Sequence, residues 1–168
     1  IASACMSKEE EADLWNRYSR YLSRVVTELT EGEPVNQEYM SRKIAVTKKW
    51  NGLIAIDDFG AGYNSETVLL DMEPDIIKVD MSLVQRIHED PNRQLILNNI
   101  LDFAGQNHIT VLAEGVETKE ELEFLIQCGV ELFQGYYIGR PQMEIRPIDP
   151  YIVRKMQDFA QKSDFSQK

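Results

Sequence analysis

Short apolar runs alternate along the chain with longer stretches in which apolar residues recur every three or four positions. The short runs are rich in valine and isoleucine, which is typical of buried strands, and the longer stretches are typical of amphipathic helices. The pattern predicts strands at 24–29, 53–57, 76–80, 110–114 and 132–134, a strand end at 1–6, and helices at 7–23, 36–50, 65–70, 82–87, 90–107, 118–128 and 149–162. This strand–helix alternation predicts one α/β domain with a parallel sheet and right-handed crossovers.

Local signals support several of the predicted helix starts. Ser7 and Thr118 are each followed three positions later by glutamate, which is the pattern of a capping box. Trp15, Tyr18 and Tyr21 fall together on the first helix, where we expect them in the core or in an interface.

Each predicted strand ends in a side chain that can bind a metal ion or a phosphate. These side chains are Glu28, Asp57 with Asp58, Lys78, Glu114 and Gln134. The ends of parallel strands share one face, and closing the sheet into a barrel would bring these groups into one mouth. Any one of them alone would also fit a salt-bridged strand cap, but five strands in succession favour a binding site.

Oxygen ligands without cysteine or histidine suit Mg²⁺, Mn²⁺ or Ca²⁺. Two such ions could clamp a phosphodiester and activate a water, and Lys78 could hold that water.

Composition restricts the class of partner. The chain has 168 residues, 43% of them hydrophobic, and a formal net charge of -10, which argues against binding a DNA or RNA polymer. Cys5 and Cys128 form no C-x-x-C pattern, so we expect a reducing compartment: the cytoplasm, or the cytoplasmic part of a membrane-anchored protein. The first residue is not methionine, so we expect a longer parent protein.

Five motifs in order resemble those of the EAL domain family, the bacterial cyclic di-GMP phosphodiesterases. They are Glu-Leu-Thr-Glu at 28–31, Asp-Asp-Phe-Gly-Ala-Gly-Tyr-Asn-Ser at 57–65, Ile-Lys-Val-Asp at 77–80, Ala-Glu-Gly-Val-Glu-Thr at 113–118, and Gln-Gly-Tyr-Tyr with Gly-Arg-Pro at 134–141. The resemblance implies a (β/α)8 TIM-like barrel, which is incomplete in this chain because only five or six βα units are counted.

The resemblance also implies roles for individual residues in opening cyclic di-GMP to linear pGpG. Lys78, Glu114 and Asp57 would be catalytic, and Gln134, Asp58 and Pro141 would contact substrate. Glu28, Asp57, Asp58 and Glu114 would hold two Mg²⁺ or Mn²⁺ ions, with Ca²⁺ inhibitory, and Glu31 and Glu117 would support the loops.

The sequence departs from the family at its start. It has no Glu-Ala-Leu strand, and Cys5 falls where the family has a metal-binding asparagine. We therefore expect residues 1–168 to be an EAL domain that lacks its first strands, as a fragment or a truncated barrel. An inactive cyclic di-GMP receptor or a protein-interaction module remains the alternative to an enzyme.

Partners follow from the same resemblance. We expect the chain to belong to a longer protein with sensory or GGDEF domains. An open barrel leaves sheet edges and apolar surface exposed, so we also expect a homodimer or other self-association.

Overall fold

The computed structural model describes residues 7–30, 37–60, 69, 72–144 and 146–164. The chain divides into two compact units, Ile1–Ile77 and Lys78–Lys168. Five strands form a sheet in the order β1-β2-β3-β4-β5, and the β1–β2 and β4–β5 pairs are parallel. Among the described residues, no helix is long and apolar enough to cross a membrane.

The elements follow the predicted alternation of strands and helices. The first unit contains α1 (Lys8–Leu22), β1 (Val26–Thr30), α2 (Gln37–Lys49), β2 (Leu53–Phe59) and the start of β3 (Ile76–Val79). The second contains the end of β3, α3 (Met81–Val84), a 3-10 turn (Ile87–Glu89), α4 (Pro91–Asn107), β4 (Thr110–Ala113), α5 (Lys119–Cys128), β5 (Leu132–Phe133) and α6 (Pro150–Asp164). The predicted strand end at 1–6 and, apart from Leu69, the predicted helix at 65–70 lie outside the described residues.

In the first unit, α2 covers one face of the β1–β2 pair. Leu29 and Ile54 pack with Met40 in a buried cluster, to which Ile44 and Met72 add partly buried side chains. Side chains alternate between the two faces of a strand, so the face opposite Leu29 carries Glu28. The register pairs Glu28 with Ala55, which places Glu28, Ala55 and Asp57 on one face of this strand pair.

The aromatic residues of α1 are exposed, so they lie outside the core, and the other half of the expectation, that they lie in an interface, stays a prediction. Trp15, Tyr18 and Tyr21 are 40%, 50% and 46% exposed, while Leu22 at the end of the helix is buried. The guanidinium of Arg20 lies 4.6 Å from the centre of the Tyr21 ring, which covers part of that ring with charge.

The predicted helix at 82–87 is two shorter elements. Helix α3 begins one residue early because the Asp80 side chain accepts the N–H of Ser82 at 2.8 Å. It ends at Val84, and Arg86 adopts a left-handed conformation with φ of 57°. That residue breaks the helical path before the 3-10 turn.

The longer helices of the second unit begin as their sequences predict. Pro91 occupies the first turn of α4, and the Asp90 side chain accepts the N–H of Asn92 at 2.9 Å. Helix α5 has the complete capping box of Thr118 and Glu121.

Candidate active site

Asp57 and Asp58 lie together at the end of β2. The strand is buried up to Ile56, Asp57 is half-buried and Asp58 is exposed. Successive side chains of a regular strand point to opposite faces. Asp58 instead has φ of 57°, and one carboxylate oxygen of each residue lies within 4.8 Å of the other. Two carboxylates this close favour a cation between or beside them.

Glu28 adds a third carboxylate to the first unit. It is exposed on β1, on the same face as Asp57 by the strand register. The ammonium of Lys43 on α2 donates to the carbonyl oxygen of Glu28 at 2.7 Å, which fixes the backbone at this point. Glu28 thus shares a strand face with Asp57, and its carboxylate is of the donor type that Mg²⁺ and Mn²⁺ prefer.

In the second unit, Lys78 and Glu114 form an ion pair. The Lys78 ammonium lies 2.9 Å from a Glu114 carboxylate oxygen, and the two side chains are only 9% and 16% exposed. Lys78 lies on β3, and Glu114 follows β4, with its N–H donating to the carbonyl of Val79 at 3.0 Å. Removing one partner of such a buried pair would leave an uncompensated buried charge, which is strongly destabilising.

Two glycines allow the loop after β4 to approach its neighbours closely: Gly115 against α3, and Gly135 from the loop after β5. Gly115 has φ of 66°, and a Cβ there would lie 2.4 Å from Cβ of Met81. A Cβ on Gly135 would lie 2.1 Å from the carbonyl oxygen of Val116. The N–H of Val116 donates to the carbonyl of Gln134 at 3.0 Å, so the residue after Glu114–Gly115 is joined to the end of β5. These motif glycines therefore have a packing role beside any role in binding.

Glu121 is a buried carboxylate whose contacts are only partly predictable from the sequence. It is 2% exposed, and its oxygens accept the backbone N–H groups of Arg86, Glu117 and Thr118 at 2.8, 2.9 and 3.0 Å. Burial would raise the pKa of the Glu121 carboxyl, but these hydrogen bonds outweigh it and hold the pKa below its ordinary value. The capping box predicted the contact with Thr118, whereas the contact with Arg86 has no local signature.

The other predicted site residues of the second unit are exposed. Gln134 is anchored through its backbone N–H, which donates to the carbonyl of Ala113 at 2.9 Å. The N–H of Glu117 donates to Glu121, and its own side chain is exposed, as is Pro141. Glu31, the remaining predicted support residue, lies outside the described residues.

Gln134 borders an open cavity of about 440 Å³ in the second unit. Arg140 and Arg146 also line it, with Glu144 among the remaining lining residues. Two guanidinium groups beside an amide are suited to the oxygens of a phosphate. The guanidinium of Arg140 is held over the Tyr136 ring, 4.4 Å from its centre.

The predicted site residues thus form two sets, one in each unit. In the first unit, the structure brings Asp57 and Asp58 together and aligns Glu28 on the face of Asp57. In the second, it joins Lys78 to Glu114. The roles assigned to these residues stay predictions.

Comparison with known proteins supports the family resemblance that the five motifs indicate. The family model for the EAL domain matches residues 9–141. The Escherichia coli (strain K12) protein named "Probable cyclic di-GMP phosphodiesterase PdeG" is 40% identical over 125 residues, which cover 74% of this chain and 25% of that protein. The chain therefore spans about a quarter of the length of that relative.

Two solved structures share the fold. A standalone EAL protein from Vibrio cholerae O395, in a form bound to c-di-GMP, is 34% identical with a TM-score of 0.78, over 91% of this chain and 65% of that one. The manganese/cy-diGMP complex of Klebsiella pneumoniae BlrP1 is 34% identical with a TM-score of 0.74, over 83% of this chain and 36% of that one. With the parallel strand pairs, these matches confirm the predicted TIM-like α/β fold in its incomplete form.

Proposed function

Because this chain belongs to the EAL domain family, we propose that it hydrolyses cyclic di-GMP to linear pGpG with the help of divalent cations. The observation that carries the proposal is the buried ion pair of Lys78 and Glu114 at the ends of β3 and β4. Burying an ammonium and a carboxylate costs desolvation free energy. Such buried ionisable groups are concentrated at catalytic and binding sites. The name of PdeG and the ligands of the two solved structures support the substrate.

The cations of this proposal are Mg²⁺ or Mn²⁺, two per site, held by Glu28, Asp57, Asp58 and Glu114. The close oxygens of Asp57 and Asp58 fit such ions, and manganese accompanies the nucleotide in BlrP1. When bound, such cations polarise a phosphoryl oxygen and acidify a coordinated water. We propose that Ca²⁺, which accepts looser geometry, supports binding but inhibits hydrolysis.

The chain's own residues would handle substrate and proton. The Lys78 ammonium would donate a hydrogen bond to the attacking water and oppose the charge that develops on the phosphoryl oxygens. Glu114, next to it, would accept the proton of that water. Gln134, together with Asp58 and Pro141, would contact the nucleotide, and the Arg140 and Arg146 side chains at the neighbouring cavity would favour its phosphates.

Chromatography of cyclic di-GMP incubated with the purified protein tests this function. With Mn²⁺ or Mg²⁺ we expect pGpG to accumulate, and with EDTA or Ca²⁺ we expect none. Asp57→Asn should lose most of its turnover while keeping its fold, because a neutral amide replaces a carboxylate that would hold the cations. Asp102→Asn, an exposed aspartate on α4, is the matched control and should keep full activity.

Two results would contradict the proposal. Tight binding of cyclic di-GMP without any pGpG under all metal conditions would favour a receptor or interaction module. Full activity of Asp57→Asn would refute the role given to Asp57.

We further propose that the chain acts in the cytoplasm, within a longer protein, and that it self-associates. The half-buried Cys128 is a free thiol, which suits a reducing compartment. The exposed apolar side chains of Val25, Val26 and Leu53 offer a surface for a second copy. Light scattering after size exclusion checks the last point, and a monomer at micromolar concentration would refute it.

A further inference from the structure

The carboxylate of Glu121 is buried although the two residues before it in the first turn of α5 are exposed. Lys119 and Glu120 are exposed, while Glu121 is 2% exposed. A buried carboxylate is tolerated only when its oxygens are hydrogen-bonded. Glu121 meets this condition through three backbone N–H groups, with one oxygen on Arg86 and the other on Glu117 and Thr118.

The three donors belong to two different segments of the second unit. Arg86 follows α3 and therefore lies on the segment that continues from Lys78 on β3. Glu117 and Thr118 lie on the loop that begins at Glu114, directly after β4. One carboxylate thus joins the segment behind Lys78 to the loop behind Glu114.

Backbone hydrogen bonds attach the loop at Glu114, whose N–H donates to the carbonyl of Val79, and at its middle. Val116 is hydrogen-bonded to Gln134 and to Tyr137 through its backbone, at 3.0 Å in each case. Gly115, with its left-handed φ of 66°, separates that attachment from Glu114. Glu121 adds contacts to the two residues after Val116 and joins them, through its other oxygen, to Arg86.

We propose that Glu121 is a positioning residue: by binding Arg86, Glu117 and Thr118 it fixes the two segments and holds the Lys78–Glu114 pair in its working geometry. This inference rests on the proposed function for its catalytic consequence. The contacts themselves, and their effect on cation binding, are measurable without any turnover.

Three variants separate positioning from general loss of charge. Glu121→Ala removes all three acceptor contacts. Glu121→Gln keeps one acceptor oxygen, which can still accept the N–H groups of Glu117 and Thr118. Its amide N–H₂ is then placed against the N–H of Arg86, where two donors cannot form a hydrogen bond. Glu120→Gln removes the same charge from the exposed neighbouring residue and is the matched control.

Amide hydrogen exchange followed by NMR reads the contacts directly. We expect faster exchange at Arg86 alone in Glu121→Gln, at all three amides in Glu121→Ala, and no change in Glu120→Gln. Mn²⁺ affinity should fall by about 10-fold or more in Glu121→Ala, since residues that orient ligands typically contribute 10- to 100-fold. The glutamine variant should lie between wild type and alanine.

Steady-state kinetics with cyclic di-GMP and Mn²⁺ give the catalytic consequence. We expect kcat of Glu121→Ala to fall by about 10- to 100-fold with KM within about threefold, because a small misplacement of reacting groups mainly affects the chemical step. Partial recovery in Glu121→Gln would support positioning. If the alanine variant does not fold, the glutamine variant carries the same comparison against Glu120→Gln.

Two results would overturn the inference. Exchange at Arg86, Glu117 and Thr118 that is the same in all variants would remove its structural basis. Faster exchange with unchanged Mn²⁺ affinity and unchanged kcat would show that Glu121 stabilises the loops without positioning the ion pair. A wild-type protein that hydrolyses nothing would refute the proposed function, whereas exchange and Mn²⁺ affinity would still decide the role of Glu121.

Discussion

Replacing Gly135 with alanine tests how closely the loops after β4 and β5 are packed. The added Cβ would lie 2.1 Å from the carbonyl oxygen of Val116 and 2.3 Å from its nitrogen. Both are backbone atoms, so no side-chain rotation relieves the overlap. The two loops must separate by about 1.3 Å to reach the 3.4 Å of ordinary contact.

The cost of that separation follows from the contacts it breaks. The hydrogen bonds from Val116 to Gln134 and from Tyr137 to Val116 are both 3.0 Å long and would both be lost. At about 0.5–1.5 kcal/mol for each bond and about 1–3 kcal/mol for overpacking, we expect a loss of about 2–6 kcal/mol. A typical domain has about 5–15 kcal/mol of unfolding free energy, so Gly135→Ala should be severely destabilised.

Urea denaturation followed by circular dichroism measures the effect. Gly139→Ala is the control, because it lies in the same loop and a Cβ there meets nothing within 4 Å. We expect it to stay within about 0.5 kcal/mol of wild type. A free energy of unfolding for Gly135→Ala within 1 kcal/mol of the Gly139→Ala value, at the error of about 10–15% of such extrapolations, would refute the packing argument.

Two further predictions concern stability. Gly105 lies in the exposed part of α4, where an added Cβ meets nothing within 4 Å. Gly105→Ala should therefore stabilise the protein by about 0.5–1 kcal/mol. A lower melting temperature in calorimetry would contradict this. The pKa of Glu121 is lowered in the folded state, so its contribution to stability is complete above its ordinary value of 4.5 and is lost as the pH falls through the folded pKa. Denaturation between pH 6 and pH 3 should therefore show a shallower acid loss in Glu121→Gln than in Glu120→Gln, and equal slopes would count against it.

The sequence predicted the elements well where the signal is local. The capping boxes at Ser7 and Thr118 and the proline at Pro91 marked true helix starts, because caps depend on residues within one turn. The positions of the polar residues at the strand ends were likewise predictable, because each apolar run stops near the end of its strand. Lys78 and Glu114, predicted together on those grounds, are joined in the structure.

What the sequence could not predict depends on contacts between distant residues. Glu121 looks like an ordinary surface glutamate of a first turn, and only the fold brings the N–H of Arg86, 35 residues earlier, to its oxygen. The early end of α3 is not predictable from the sequence, because the left-handed residue that ends it is an arginine. Glycine or asparagine, which favour that conformation, would have indicated a break at position 86. The choice between core and surface for the α1 aromatics was also left open, because periodicity identifies a stripe but not what covers it.

The left-handed backbone at Asp58 has a consequence for how such domains can change. Aspartate, asparagine and glycine tolerate that conformation better than other residues, so the fold itself narrows the substitutions accepted there. Asparagine and glycine codons each differ from an aspartate codon by one base. A single base change can therefore remove a carboxylate from the candidate site without changing the backbone. Members of such a lineage can lose cation binding and still keep the fold.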